Sequence, residues 1–358
     1  NTNLTFGSFH IDIAPIIIVA FFTTLLVFGT KIGARVDGAM TVLKIAIVFF
    51  VVIVGFFYVK ASNFTPFIPP SQPASTVEGS SAVTGVMTQP LWQFATGMTP
   101  SVYGVPGILS GAALVFFAFI GFDVVATASE ETKNPHKNVP LGIGVGMLLI
   151  IVMYMLVAVV TTGMVSYADL AKQDSPSLAT AFELVGADWA AKIISFGIVL
   201  GLATVVMVLL LGLTRIVFAM SRDGLLPRGL SKTGKHGTPA ALQIVVGAVV
   251  ALVAAFFDIG VLSDMVNIGT LSAFTLVAIS IPIMRKKRPD LPRAFKMPGS
   301  PWIPILIAVA NFWLMLNLSV LTWIRFVVWL VVGFAIYFGY GYRHARLGAG
   351  ELEVAAQE

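Results

Sequence analysis

The chain has 358 residues, of which 57% are hydrophobic and only 11% are charged, and its mean hydropathy is +0.93. A soluble domain of this length carries far fewer apolar residues, so the composition indicates a membrane protein. The chain contains no cysteine, and its four histidines lie outside the apolar segments. We therefore expect no disulfide, no metal site, no cofactor and no catalytic residue.

Nine apolar stretches of about 20 residues follow one another along the chain, and each could cross a bilayer core of roughly 30 Å at 1.5 Å per residue. The long interval 61–106 is rich in Pro, Ser, Thr and Gly, and we expect it to form an extracytoplasmic loop. The sequence therefore predicts an all-α integral membrane protein. The nine stretches occupy residues 12–30, 37–59, 107–129, 140–165, 193–214, 239–257, 260–283, 301–320 and 323–341.

Most of the 22 Lys and Arg residues fall in alternate loops and in the C-terminal tail. Because basic loops remain on the cytoplasmic side of a membrane, we expect a multi-pass protein of the cell (cytoplasmic) membrane with its C-terminus in the cytoplasm. The net charge of +5 then reflects topology and membrane lipids rather than nucleic acid. Nine spans with this orientation place the N-terminus outside, so we expect an odd number of helices to precede the chain.

The third stretch becomes polar before it has covered a bilayer. Asp123 comes two residues after Gly121, and Glu130 and Glu131 come shortly after it. A charge in a spanning segment is costly unless it faces a cavity or a partner, and unwound backbone is tolerated only where it lines a cavity. We predict a break in this helix near residues 119–122. The residues alone also allow a simple kink at Gly121 with a hydrated Asp123.

The second stretch contains Lys44, seven residues after Asp37. Seven residues of helix span about 10 Å, so the ammonium group could reach back to the cytoplasmic interface. Alternatively, Lys44 is a buried amine that gains and loses a proton near neutral pH, which would suit proton-coupled transport. Asp258 and Asp264 lie near the ends of the sixth and seventh stretches, and we expect both to be solvated termini.

Three separated motifs closely resemble the cationic amino acid transporter family of the amino acid, polyamine and organocation superfamily. They are GAALVFFAFIGFDVVATASEETKNPHKNVPLGI at 111–143, RIVFAMSRDGLLP at 215–227 and RPDLPRAFKMPGSPWIPI at 288–305. The resemblance implies a LeuT-like inverted-repeat fold of twelve helices, of which nine are present and the first three precede the chain.

The same resemblance divides the chain into segments. Residues 1–60 would complete the first inverted repeat, and 107–284 would form the second, with the extracytoplasmic loop 61–106 between them. Residues 285–342 would form two C-terminal helices, and 343–358 would be the cytoplasmic tail.

The resemblance also implies roles for individual residues. Backbone carbonyls of Phe117, Ala118 and Ile120 would receive the α-ammonium group of the substrate, Phe117 would also act as a gate, and Gly121 would permit the unwinding. Met207 would form a wall of the side-chain pocket. Phe117 and Met207 could instead be ordinary packing residues, because aromatic and Met side chains fill helix interfaces routinely.

The charged residues receive coupling and gating roles by the same resemblance. Lys44 would stand where the family carries a lysine in place of a sodium site, and would bridge to a first helix that this chain lacks. From its position after the break, Asp123 is expected to steady the second half of the broken helix or a neighbouring helix. Glu130 and Glu131 would form a cytoplasmic ion-pair network that can act as a gate. The substrate carboxylate would be bound by the preceding, absent helix.

The resemblance therefore implies a secondary active amino acid transporter, working as an amino acid:proton symporter by alternating access, and not an enzyme. An exchanger without proton coupling and a non-transporting sensor or assembly subunit are the alternatives. The expected partners are the amino acid, protons, membrane lipids and a small accessory membrane subunit. Cationic and neutral substrates both stay open.

Overall fold

The computed structural model describes residues 3–6, 9–28, 30–76, 85–122, 132–173, 176–232, 239–257, 259–290, 293 and 297–345. Most of them are helical. The helices are α1 (Ile13–Phe28), α2 (Thr30–Phe56), α3 (Leu91–Thr96), α4 (Gly104–Val115), α5 (Pro135–Met164), α6 (Tyr167–Ala171), α7 (Leu178–Leu184), α8 (Asp188–Arg222), α9 (Ala240–Phe256), α10 (Ile259–Lys287), α11 (Trp302–Leu316), α12 (Val320–Ile336) and α13 (Tyr342–His344). The strands β1 (Asn3–Phe6) and β2 (Phe9–Asp12) form one antiparallel pair, and β3 (Gln72–Pro73) and β4 (Ser101–Val102) form another.

Each of the nine predicted apolar stretches overlaps an apolar helix in the described part of the chain. Five of these helices are long and apolar enough to cross a membrane: 38–56, 137–164, 188–222, 259–287 and 320–344. The other four, α1, α4, α9 and α11, are shorter. The prediction of a multi-pass helical membrane protein is confirmed, whereas the LeuT-like arrangement and the total helix number stay predictions.

The chain divides into two compact units, and the first consists of 1–51, 192–259 and 329–358. Within it, α1 packs along α9, and at Gly247 of α9 any side chain would collide with Thr23 of α1. Small residues at such contacts let two membrane helices approach closely, which increases their packing energy. The apolar core of this first unit is formed by Val19, Phe22, Leu26, Met207, Leu210, Leu242 and Val246.

The second unit consists of 52–191 and 260–328. Its core lies where α4, α10 and α11 meet, and contains Ala113, Ile268, Leu271, Met315 and Leu318. The predicted inverted repeats concern internal symmetry, which this division into compact units does not test.

The predicted extracytoplasmic loop 61–106 has structure of its own and belongs to the second unit. Its start is bound to the end of α5, because the Lys60 amide and the Asn63 side chain both donate to the Gly163 carbonyl at 2.8 Å. Further along, Trp92 of α3 stacks at an angle near Trp313 of α11, with ring centroids 6.2 Å apart. The loop therefore contacts α5 at its start and α11 at Trp92.

Candidate functional site

The third apolar segment, 107–129, stops being α-helical partway along its length. Helix α4 ends at Val115, residues Phe116–Phe119 form a tight 3₁₀ turn, and Ile120 is extended with φ −67° and ψ 138°. Gly121 then has φ +121°, a conformation that essentially only glycine adopts without strain. The predicted break is confirmed, and it begins at Phe116, three residues before the predicted position.

Of the three backbone carbonyls predicted to bind the substrate, those of Phe117 and Ala118 already accept a hydrogen bond within the protein. The Phe117 carbonyl accepts from the Ile120 amide at 3.2 Å, and the Ala118 carbonyl accepts from the Tyr154 hydroxyl at 2.8 Å. No described residue donates to the Ile120 carbonyl. A carbonyl oxygen has two lone pairs, so each of the three retains the capacity to accept from an ammonium group.

Tyr154 is the residue at this site that the sequence analysis missed. It lies on α5, and besides donating to Ala118 it places its ring edge-to-face against Phe119, with centroids 5.0 Å apart. The available signal was its position within LLIIVMYMLVAVV, an otherwise apolar run. A tyrosine hydroxyl at membrane depth needs a hydrogen-bond partner, and freed backbone carbonyls are suitable acceptors.

Further aromatic and amide contacts hold the two ends of the break. Phe274 of α10 lies 6.1 Å from the Phe116 ring and 5.2 Å from the Phe122 ring, so one side chain contacts residues before and after the turn. The fully buried Asn267, also on α10, donates to the Leu114 carbonyl at 3.4 Å. The opened backbone is thus supported by α5 on one side and by α10 on another.

The Phe117 side chain is 43% exposed, and it forms no ring pair with the described aromatic residues. An exposed ring beside the opened backbone is compatible with the predicted gate, which stays a prediction. Met207 lies on α8 in the core of the first compact unit and is 2% exposed. The structure therefore places Met207 among packing residues of that unit, and its role as a pocket wall stays a prediction.

Lys44 lies on α2 and is half-buried, with its aliphatic stem beside α8. A Cβ atom built on Gly201 would lie 3.7 Å from its Cγ and 3.8 Å from its Cε. One turn away, a Cβ on Gly197 would overlap Ile47. Glycines four residues apart on α8 thus let two side chains of α2 approach it closely, Lys44 at Gly201 and Ile47 at Gly197.

The structure describes only some of the remaining predicted residues. Asp123, Glu130 and Glu131 lie outside the described residues, as does Asp258. Asp264 differs from the solvated terminus that we expected: it lies within α10, is partly buried, and accepts a hydrogen bond from the buried Thr322 hydroxyl at 3.1 Å. The helix begins at Ile259, so Asp264 is more than one turn inside it.

Comparisons with known proteins agree with this architecture. A family model described as amino acid permease matches residues 5–340. The chain is 41% identical over 343 residues to a branched-chain amino acid permease of Bacillus subtilis (strain 168), covering 95% of this chain and 66% of that protein. It is 38% identical over 332 residues to a methylthioribose transporter of the same organism, covering 92% and 64%. It is 34% identical over 281 residues to the vacuolar cationic amino acid transporter 4 of Arabidopsis thaliana, covering 78% and 42%.

Several apolar helices, one of which opens at Phe116, define a multi-pass membrane protein. The chain belongs to the amino acid permease family. The predicted resemblance to cationic amino acid transporters of the same superfamily is confirmed, and the family consists of transporters rather than enzymes. The chain spans about two thirds or less of the length of these three relatives.

Proposed function

We propose that the complete protein is a secondary active amino acid transporter and that the opened backbone at 116–121 binds the α-ammonium group of its substrate. The observation that carries this proposal is the helix break, in which the Ala118 carbonyl is oriented by Tyr154 and retains a free lone pair. An ammonium group needs several acceptors and offers no acceptor of its own, so backbone carbonyls suit it well. Broken helices of this kind form the substrate sites of many secondary transporters, which supports the proposal.

A branched-chain amino acid is the substrate that we favour. The relative with 41% identity is named as a branched-chain amino acid permease, and the aromatic and aliphatic side chains around the break offer apolar surface. A cationic substrate is the second candidate, because the Arabidopsis relative is named as a cationic amino acid transporter.

Uptake by the complete protein in proteoliposomes tests the proposal. We expect labelled L-leucine or L-valine to accumulate and unlabelled branched-chain amino acids to compete, with L-arginine as the comparison for a cationic preference. If the protein takes up neither branched-chain nor cationic amino acids, the transporter proposal is refuted.

Proton coupling through Lys44 is the finer part of the proposal. The aliphatic part of the Lys44 side chain lies along Gly201, within an apolar helix pair. A lysine ammonium in such surroundings is suited to changing its protonation during transport. We expect an inward proton gradient to stimulate uptake and Lys44→Met to abolish that stimulation. Lys192→Met is the matched control, because Lys192 is an exposed lysine on α8.

If Lys44→Met responds to the gradient as the wild type does, coupling through Lys44 is wrong. If wild-type uptake itself is indifferent to the gradient, amino acid exchange becomes the better account. Counterflow would then be measured with amino acid on both sides of the membrane. A small accessory subunit and specific lipids stay predictions.

A further inference from the structure

A cavity of about 870 Å³ lies in the second compact unit, beside the broken helix. It is bounded by the loop 61–106, by α4 and α5, and by the connection between α11 and α12. Its volume falls within the roughly 300–1,000 Å³ of typical small-molecule sites. Leu114 lines the cavity and directly precedes Val115, the last residue of α4, so the cavity ends two residues before the opened backbone.

The charge of this cavity has one sign. Asp264 is the only charged residue among the described residues that line it. Its Oδ2 accepts from Thr322 at 3.1 Å, and it forms no ion pair within 4.0 Å with any described residue. Arg325 acts electrostatically on Asp264 but forms no ion pair with it within 4.0 Å, so this partly buried carboxylate keeps lone pairs available for a cationic ligand.

The other lining groups do not favour an anion. The side-chain amides of Asn63 and Asn317 each donate to a backbone carbonyl at 2.8 Å, that of Gly163 and that of Trp313. The walls are mostly apolar and include the Tyr103 and Tyr167 rings, which contact each other edge-to-face with centroids 5.2 Å apart. A ligand with a positive head and an apolar body matches this surface.

We propose that this cavity is a second binding site, distinct from the helix break, that takes the ammonium group of an amino acid or alkylamine with Asp264 as its counter-ion. The proposal rests on the proposed function, since an amino acid held here would next meet the break beyond Leu114. Ammonium and carboxylate form a charge-assisted hydrogen bond, which is stronger than a neutral one. The hydroxyl of Thr322 keeps the carboxylate in place for that bond.

The probe is 3-methylbutylamine, which has the side chain of leucine and an ammonium group but no carboxylate. Its binding to the complete protein in nanodiscs would be measured by equilibrium dialysis, with 3-methylbutanoate as the counterpart that lacks the ammonium group. We expect the amine to bind and the acid not to bind. Asp264→Asn keeps the shape and should weaken the Asp264-dependent binding at least tenfold.

Asp169→Asn is the matched control. Asp169 is an acid of the same compact unit, but it does not line this cavity, and its carboxylate already pairs with Lys172 at 3.3 Å. We expect this variant to bind the amine like the wild type. If Asp169→Asn and Asp264→Asn lose amine affinity equally, the proposal is overturned, because the amine would then respond to the total charge of the protein and not to Asp264.

A second variant tests the cavity without changing Asp264. Gly111 lines the cavity on α4, and a Cβ built there meets nothing within 4 Å, so Gly111→Leu places a side chain in the cavity without a backbone clash. We expect this variant to lose amine binding as Asp264→Asn does. Amine binding that survives both substitutions at wild-type affinity refutes the second site.

Uptake assays separate this proposal from the transporter proposal. Amine binding that depends on Asp264, in a protein that accumulates no amino acid, would retain the site and refute the transport function. Leucine uptake with no Asp264-dependent amine binding would retain the transport function and refute the site.

Discussion

Replacing Gly121 with alanine tests whether the helix break depends on the conformation of one residue. Gly121 has φ +121°, which is strained for any residue with a Cβ atom. A Cβ built at this position meets nothing within 4 Å, so the substitution introduces strain without crowding. Strain of this kind costs about 1–3 kcal/mol.

The expected size of the functional effect follows from that strain. If the backbone at 116–121 shifts to relieve it, the carbonyls of Phe117, Ala118 and Ile120 lose their arrangement. The loss of substrate affinity would then be about 5- to 140-fold, since about 1.4 kcal/mol corresponds to a factor of ten. If the backbone keeps its conformation, the same strain lowers the stability of the folded protein instead.

Leucine affinity and thermal unfolding of the complete protein in nanodiscs would both be measured. Gly142→Ala is the matched control, because Gly142 lies within α5 and a Cβ there also meets nothing within 4 Å. Alanine is preferred over glycine in a helix by about 1 kcal/mol, so this control should be neutral or slightly stabilising. A Gly121→Ala protein with the affinity and stability of the control would refute the reasoning.

Three further predictions concern other contacts. Tyr154→Phe removes the hydroxyl that donates to the Ala118 carbonyl at 2.8 Å. Loss of a hydrogen bond worth about 0.6–1.5 kcal/mol should weaken leucine binding about 3- to 10-fold. Unchanged leucine affinity would argue against a role of this bond in substrate binding. Gly197→Ala should lower thermal stability, because its Cβ overlaps Ile47, whereas Gly201→Ala meets only ordinary contacts and should be better tolerated. Hydrogen bonds from Ser166 and Lys172 hold the pKa of Asp169 below its ordinary value, so Ser166→Ala should raise that pKa, as followed by carboxyl NMR titration. Finding the same Asp169 pKa in the variant would contradict that assignment.

The sign of the Asp169 effect follows from the lowered pKa. The carboxylate is favoured in the folded protein, so its contribution to stability is present above the pKa of the unfolded chain, near 3.9. That contribution is lost as the pH falls through the lower folded pKa. Protonation removes the charge partner of Lys172 and the acceptor of the Ser166 hydroxyl.

The loop 61–106 illustrates how far composition can be taken. Its polar residues correctly separated it from the membrane segments, but they did not predict that the Leu91 amide donates to the Leu318 carbonyl at 3.0 Å. That bond joins residues far apart in sequence, and local composition carries no information about such pairs. Asp264 was misread for the same reason, because Thr322 and the cavity walls come from other segments.

The sequence by itself determined the apolar helices and indicated an irregularity near Gly121, because bilayer length and the conformational freedom of glycine are properties of short segments. Only the tertiary structure decided which groups support that break: Tyr154, Asn267 and Phe274 lie on helices distant in the chain. It also decided that Asp264 faces a cavity. These outcomes depend on which helix faces pack together, and a hydropathy pattern that is apolar on all sides does not specify those faces.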